Sequence, residues 1–374
     1  MLQPEEVVEA KWVSIQEFED MREVIVPTVW ERFLTSRSKL RGMLNYREYI
    51  DVNFRGAILI KNENETFEYV NGYRDYANEL PNTLDTKFAS ASAGKVFVAV
   101  AILQLIEKKL LKFDDTIGEL IDMDWKNIDR NVTVEELLNH TSGVPDYFDE
   151  SVMEEYEELW VDYPNYKIRH NKDLLPLFMD KPMMYSRGTR FQYNNTGYVI
   201  LAMIIEKITG MEFDEYLKQN VFDVCGMTGT GYYELDKLPA KCAVNYLYCN
   251  SEDDLRTNIF CVDAKGTGAG GAFITVNDIV KFWTALIEGK LISKTMFEKM
   301  ISKQSGDGED EEEGYYGFGV WIIDGKGQKD IPYFQGCDPG VSFISEYNPN
   351  TGTISVLVSN YGDNVWRIAR ELRQ

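Results

Sequence analysis

Ser92 and Lys95 stand three positions apart at the head of a long apolar run, residues 96–103. Residues i and i+3 are neighbours on a helix, with Cβ atoms about 5–6 Å apart, so the lysine amine can take the proton of the serine hydroxyl. Such a pair is a nucleophile with its own base. Serine is also a common first residue of helices, and for these two residues alone that structural interpretation is the more frequent one.

A phenol and an amide, Tyr193 and Asn195, come directly before a second apolar helical stripe in residues 195–210. They lie on a loop that can face Ser92. Lysine acts as a base only when neutral, and lowering its pKa by about three units costs about 4–5 kcal/mol. Tyr193 can share that task, so the sequence leaves open whether Lys95 or Tyr193 is the general base.

The composition is that of a folded globular protein, with 374 residues of which 44% are hydrophobic. A net charge of −22 repels phosphate backbones and anionic membranes, so we expect no nucleic-acid partner. No apolar run reaches about 18 residues and no signal-peptide pattern opens the chain, which predicts a cytoplasmic protein without a membrane span. The five cysteines lack a C-x-x-C spacing and are expected to be free thiols.

The sequence offers little to hold a cofactor. It contains only two histidines, which argues against a multi-histidine metal site. Residues 266–271 match a dinucleotide-binding glycine pattern, but they follow no clear strand, so we interpret them as a flexible turn before a helix capped by Thr275. The acidic run at residues 309–313 is predicted to be a solvated loop. We therefore expect neither a metal nor an organic cofactor.

Strand-like and helical patterns alternate in blocks along the chain. Strands are predicted at 56–61, 66–70, 316–323, 341–347 and 353–359. Helices are predicted after the capping pattern at Thr133, with Gly143 as the stop, at 195–210 and at 365–373. Strands at both ends with a helical region between them, at about 113–286, indicate one sheet assembled from distant segments. The predicted fold class is α+β: an antiparallel sheet flanked by helices, with an inserted helical subdomain, in a single domain over 45–374.

Four segments share their order and spacing with one enzyme family. Residues 92–95 form S-x-x-K, residues 193–195 form Y-x-N, residues 137–147 contain H-T-S-G, and residues 270–282 carry a glycine pair followed by Thr, Asp and Phe. Over 46–372 the chain resembles the serine β-lactamase and penicillin-binding-protein-like hydrolases. Within them it is most similar to the class C-like group, which includes esterases and D-amino-acid peptidases.

The resemblance implies a β-lactamase/transpeptidase-like fold and hydrolysis through an acyl-enzyme on Ser92. Lys95 and Tyr193 would handle the proton, and Asn195 would orient Lys95 and the substrate. The oxyanion would be held by the backbone N–H groups of Ser92 and Cys337. The expected substrate is a small-molecule ester, amide or peptide, and no cofactor is required.

The two histidines are given non-catalytic roles. The resemblance places His140 in a loop that supports the fold, which we favour over a role as catalytic base. His170 has no motif around it and is expected at the surface.

A third motif, K-T-G, H-x-G or W-x-G followed by x-x-P-G, is present only in part. Residues 336–340 fit its end, which assigns Phe334 to the leading position and makes Phe334, Gly336 and Cys337 substrate-binding candidates. Lactamases and transpeptidases use a basic or polar residue there to hold the substrate carboxylate. Its absence predicts esterase-like activity rather than β-lactamase activity. The alternatives are a non-catalytic penicillin-binding-like protein and a D-amino-acid peptidase or carboxypeptidase.

Residues 1–44 resemble the closing strand and helix of a Nudix hydrolase. The glutamate-rich Nudix box is absent from the sequence, so we expect a remnant or docking extension without pyrophosphatase activity. An amphipathic arm packed on the hydrolase domain is the alternative.

Overall fold

A computed structural model describes residues 46–251, 254–306 and 314–373. Within them, seven strands form one antiparallel sheet in the order β2-β1-β13-β12-β11-β10-β9. Its strands are β1 (Gly56–Lys61), β2 (Thr66–Asn71), β9 (Tyr315–Tyr316), β10 (Trp321–Ile323), β11 (Ile331–Asp338), β12 (Val341–Asn348) and β13 (Thr353–Ser359). Short strands pair as β3 (Tyr73–Asp75) with β4 (Leu80–Pro81), β5 (Phe88–Ala89) with β8 (Phe273–Ile274), and β6 (Tyr246–Tyr248) with β7 (Leu255–Thr257).

The helices lie between and after these strands. They are α1 (Lys95–Glu107), α2 (Ile117–Leu120), α3 (Val134–Leu138), α4 (Asn195–Thr209), α5 (Phe213–Leu217), α6 (Asp223–Cys225), α7 (Val276–Ile287), α8 (Lys294–Met300) and α9 (Val365–Leu372). A 3-10 turn, Ala91–Gly94, leads directly into α1.

Helix α1 is the centre of the core. Every side chain from Lys95 to Leu105 is buried, because all of them except Lys95 and Gln104 are apolar and the helix packs among other elements, including α4. In the ranges that the structure describes, no helix is both long and apolar enough to cross a membrane. Lys95 is the one charged side chain on this buried stretch.

The sheet is covered on both faces. Successive strand residues point to opposite faces. On one face Ser345 of β12 accepts a hydrogen bond from the indole of Trp283 on α7, at 2.9 Å. On the other, Gln335 of β11 accepts one from Trp366 on α9, at 2.8 Å, and pairs with Ile344, the residue before Ser345. Helix α7, and with it the nucleophile turn, lies on the first face.

The predicted α+β class is confirmed. Strands β1 and β13, from opposite ends of the chain, pair directly, with Ala57 opposite Val358. Helix α4 begins at Asn195 as predicted and ends at Thr209, where Gly210, with a φ of +69°, forms a glycine cap. The predicted caps Thr133 and Thr275 each accept a hydrogen bond from the backbone three residues on.

Three predicted elements differ from the structure. The strand expected at 316–323 is two strands, because a tight turn folds β10 back so that Trp321 pairs with Tyr316. Helix α3 ends at Leu138, before the predicted stop at Gly143. The helical insertion was predicted to extend to about residue 286 and so to contain α7. Helix α7 instead packs against β1 and β13 of the main sheet, so the insertion ends before Val276. The predictions for residues 1–44 and 309–313 lie outside the described residues.

Candidate active site

Ser92 sits on the 3-10 turn that opens α1. The turn is fastened to the segment before α7: Gly271 donates its N–H to the Ala91 carbonyl at 3.0 Å, and the Ser90 hydroxyl donates to the Ala272 carbonyl at 2.8 Å. Ala91 has a φ of +47°, which is unusual for a residue with a Cβ. Ser92 is therefore held on a strained, fixed turn and is partly exposed.

The amine of Lys95 is buried beneath Ser92, with the residue 1% exposed. Its Nζ donates to Ser92 Oγ at 3.0 Å, to Asn195 Oδ1 at 2.8 Å and to the Ala269 carbonyl at 2.5 Å. Burial lowers the pKa of Lys95 to about 8, although nearby carboxylates oppose the shift. At pH 7 this gives about three hundred times more neutral amine than an ordinary lysine has.

Asn195 is oriented by a buried carboxylate, Asp146. One Asp146 oxygen accepts from the backbone N–H of Asn195 at 2.9 Å and from its side-chain Nδ2 at 3.2 Å. The other accepts from the backbone and hydroxyl of Thr196, at 3.0 and 3.1 Å. Because Nδ2 faces Asp146, the Asn195 oxygen must face Lys95. Burial raises the pKa of Asp146 to about 6 against these hydrogen bonds.

Tyr193 lies on the other side of the Ser-Lys pair. The Ser92 side chain acts on the Tyr193 hydroxyl and opposes part of the rise in its pKa, and the Lys95 Nζ lies 4.9 Å from the Tyr193 ring centroid. The ring stacks on Trp321 with centroids 5.7 Å apart. Burial raises the pKa of Tyr193 well above its ordinary value, so the hydroxyl keeps its proton.

The H-T-S-G loop supports the Tyr193–Asn195 segment from behind. His140 Nδ1 accepts the Asn194 N–H at 3.1 Å, and its carbonyl accepts the Gln192 N–H at 3.0 Å. His140 is 1% exposed, and burial and the Lys95 charge hold its pKa well below the ordinary value. This placement supports the structural role. His170 is half-exposed and faces Glu212 at 3.1 Å, as a surface histidine would.

Strand β11 passes over the nucleophile turn at Gly336. A Cβ there would stand 2.2 Å from the Ser90 carbonyl oxygen and 2.8 Å from the Ser92 nitrogen, so only glycine allows this approach. It brings the backbone of Cys337 beside Ser92, and both residues line one cavity. The backbone segments at Ser92 and Cys337 thus border the same space, and their role as an oxyanion site stays a prediction.

The cavity above Ser92 has a volume of about 670 Å³. Its lining contains six carboxylate side chains, namely Glu150, Glu154, Glu155, Glu157, Asp263 and Asp338. Arg256 is the one basic side chain in the described lining, and it forms an ion pair with Glu157 at 3.5 Å. The substrate space beside the nucleophile is therefore acidic.

Comparison of the chain with known proteins identifies its family. The model of the beta-lactamase family matches residues 45–373. The chain belongs to the beta-lactamase family. It is 36% identical to the penicillin-binding protein from Bacillus halodurans, whose crystal structure matches with a TM-score of 0.81 over 88% of this chain and 98% of that one.

Two sequence relatives have names that bear on chemistry. Penicillin-binding protein 4* of Bacillus subtilis is 30% identical over 291 residues, which are 74% of this chain and 61% of that protein. Teichoic acid D-alanine hydrolase of Staphylococcus aureus is 24% identical over 254 residues, 66% of this chain and 57% of that protein. The chain thus spans less than two thirds of the length of either relative.

The third motif of this beta-lactamase family member needs a correction. Phe334 was expected to face the substrate, but it is 2% exposed and is not among the residues that line the cavity. Its ring packs on Trp283, Phe282 and Phe343, at centroid distances of 5.2, 6.0 and 5.8 Å. Phe334 belongs to the core between the sheet and α7, whereas Cys337, three residues further along the strand, reaches the cavity.

The glycine-rich loop at residues 266–271 also differs from expectation. Its residues 266–269 are buried, and a Cβ at Gly270 would stand 2.4 Å from the Ala91 carbonyl oxygen. The loop is thus packed against the nucleophile turn, and its Ala269 carbonyl is an acceptor for Lys95. It is part of the site rather than a flexible turn.

Several site residues could not be assigned a role from the sequence. Asp146 lies 49 residues from the Asn195 that it orients. Asp263 and Asp338 reach the cavity from a loop and from the end of β11. An aspartate beside the H-T-S-G loop was the only hint for Asp146, and its partners could not be inferred.

The lowered pKa of Lys95 predicts a pH profile. If the neutral amine is the base, kcat/KM for an uncharged ester should rise with pH and level off above an inflexion near pH 8. Initial rates between about pH 6 and pH 10 measure this. Tyr193→Phe should lower the rate and keep the inflexion, because the Tyr193 hydroxyl does not ionise in that range. A profile that falls as pH rises would contradict Lys95 as the base.

The placement of Phe334 predicts a stability effect instead of a specificity effect. Phe334→Ala should lower the free energy of unfolding by about 3–5 kcal/mol, because it leaves a cavity against Trp283. Urea denaturation measures it. The milder Phe334→Leu should keep the wild-type ratio of kcat/KM for neutral and anionic esters. A changed ratio would show that position 334 does face the substrate.

Proposed function

We propose that this protein is a serine hydrolase that cleaves an ester or amide bond through an acyl-enzyme on Ser92. The proposal is supported chiefly by the buried Lys95 amine, which lies 3.0 Å from Ser92 Oγ. Ser92 itself lines the cavity. A buried lysine with a lowered pKa beside a partly exposed hydroxyl is an activated nucleophile. A non-catalytic ligand-binding protein would not need this pair.

In the acylation step, neutral Lys95 takes the proton of Ser92 as Oγ forms a bond to the substrate carbonyl carbon. The carbonyl oxygen becomes an oxyanion, which the backbone N–H groups of Ser92 and Cys337 would stabilise. Collapse breaks the bond to the leaving group, which receives the proton from Lys95 through the Tyr193 hydroxyl. Water then attacks the acyl-enzyme, with the same groups carrying its proton back to Ser92.

We assign the role of base to Lys95 and that of proton relay to Tyr193. The lowered pKa makes neutral Lys95 available near neutral pH, whereas the raised pKa of Tyr193 makes its phenolate scarce. Asn195 keeps the Lys95 amine aimed at Ser92, because Asp146 fixes its amide.

The acidic cavity supports esters or amides without a carboxylate over β-lactams. β-Lactams and carboxypeptidase substrates carry a carboxylate, which the ionised carboxylates of the cavity lining would repel. Phe334 does not contribute to this preference, because its side chain does not line the cavity. The name of the teichoic acid D-alanine hydrolase relative makes D-alanyl esters a candidate substrate class.

Ser92→Ala should abolish ester hydrolysis and labelling by a fluorophosphonate, and lower the free energy of unfolding by only about 1 kcal/mol. Intact-mass spectrometry detects the adduct on the wild type. Ser302→Ala, which removes an exposed hydroxyl outside the cavity, is the matched control and should be labelled normally. Wild-type hydrolysis by Ser92→Ala would remove Ser92 from the mechanism.

Short acyl esters should be hydrolysed at least about tenfold more efficiently than nitrocefin. The reason is that a β-lactam carboxylate lacks a charge-assisted contact worth about 1.5–3 kcal/mol. Steady-state kcat/KM for both substrates tests it. Arg256→Gln should leave the ratio unchanged, because Arg256 is paired with Glu157. Efficient nitrocefin turnover that Arg256→Gln abolishes would show that Arg256 binds the carboxylate.

A further inference from the structure

One wall of the catalytic cavity presents hydrogen-bond acceptors without donors to match. It is formed by Asn245, Asp263 and Asp338, and is called the acceptor wall below. Asn258 ties it together: its backbone N–H donates to the Asn245 carbonyl at 3.1 Å, and its side chain donates to the carbonyl of Pro339, next to Asp338, at 2.9 Å.

Each member of the acceptor wall lacks a full set of partners. No residue that the structure describes donates a hydrogen bond to the Asp338 carboxylate or forms an ion pair with it. Asp263 accepts one hydrogen bond, from the Tyr156 hydroxyl at 3.1 Å. Asn245 also lacks a partner: the residue is 4% exposed, and its buried Oδ1 has no donor among the described residues.

The two aspartates also interact electrostatically. Burial and the Asp263 charge raise the pKa of Asp338 to about 7, and burial raises the pKa of Asp263 to about 7. The neighbouring Glu150 adds to the negative potential at Asp338, and Lys95 only partly offsets it. A cation placed here would relieve the repulsion and supply the missing donors together.

We propose that the acceptor wall binds a protonated amine of the substrate, so that the enzyme selects esters or amides that carry an ammonium group. An ammonium group supplies positive charge, which neither wall aspartate receives from an ion pair within the described residues, and N–H donors for the carboxylate oxygens. Because this assignment rests on the proposed acyl transfer at Ser92, its test must also have a readout that does not need turnover.

The ammonium can belong to the acyl part or to the leaving group. D-Alanine methyl ester and methyl isobutyrate are matched in shape and differ by an ammonium in the acyl part. 2-(Dimethylamino)ethyl acetate and 3-methylbutyl acetate differ by a protonated amine in the leaving group. For each pair, the measured quantity is the ratio of kcat/KM for the charged over the uncharged ester, at one pH and at two salt concentrations.

Asp338→Asn and Asp263→Asn should each lower this ratio by about tenfold or more in at least one pair, at both salt concentrations. Comparing each variant with the wild type cancels the intrinsic reactivity of the esters. Asn245→Ala should lower it too, and should fold normally because the Oδ1 that it removes has no donor among the residues that the structure describes. The pair that responds identifies the part of the substrate that carries the amine.

Asp85→Asn is the matched control. It removes one negative charge at an exposed position outside the cavity, so the ratio should remain that of the wild type. Calorimetry on Ser92→Ala gives the readout without turnover: the charged ester of the responding pair should bind more tightly than its uncharged partner, and Asp338→Asn should remove the difference.

Two results separate the hypotheses. Suppose that uncharged esters are hydrolysed at Ser92 while the three wall variants keep the wild-type ratio in both pairs. The ammonium-binding role of the acceptor wall is then overturned, and the proposed function stands. If neither pair is hydrolysed and fluorophosphonate does not label Ser92, the proposed function fails. In that case equal binding of charged and uncharged esters to Ser92→Ala overturns the acceptor wall as well.

Discussion

A lysine amine inside an apolar core is the constraint on which the rest of this site depends. Helix α1 begins with Lys95 and, apart from Gln104, is apolar over the rest of its buried length, so the amine is removed from water with it. An amine left there without acceptors would cost several kcal/mol. Three separate segments supply them: the turn at Ser92, the start of α4 at Asn195, and the loop at Ala269.

Those three segments explain why the surrounding architecture is so closely specified. Asp146 holds the start of α4, and His140 holds the loop before it, so that the Asn195 oxygen stays aimed at the amine. Gly270 and Gly336 let backbone pack directly against the nucleophile turn from two sides. A small shift in any of these contacts would leave the lysine short of an acceptor and move the serine that it serves.

The elements and the reacting groups could be predicted from sequence because both depend on local spacing. Ser92 and Lys95 lie on one helical turn, and α4 and the hairpin of β1 and β2 follow from apolar periodicity. Phe334 was misplaced because its surroundings depend on Trp283 of α7, a partner 51 positions away that no local pattern indicates. Asp146, Asp263 and Asp338 were missed for the same reason, since each acts across long-range contacts that only the fold creates.

The carboxylates around Lys95 act against its burial. Asp146, Glu150 and Asp338 each raise the pKa of Lys95, whereas desolvation lowers it, and the balance near 8 leaves about a tenth of the amine neutral at pH 7. A cation bound at Asp338 would cancel part of that negative potential, so the pKa of Lys95 would fall further and more neutral base would be present. On the proposed assignment, the group that the acceptor wall recognises would therefore also favour the active form of the base, and binding of a cationic substrate would be coupled to activation of Ser92.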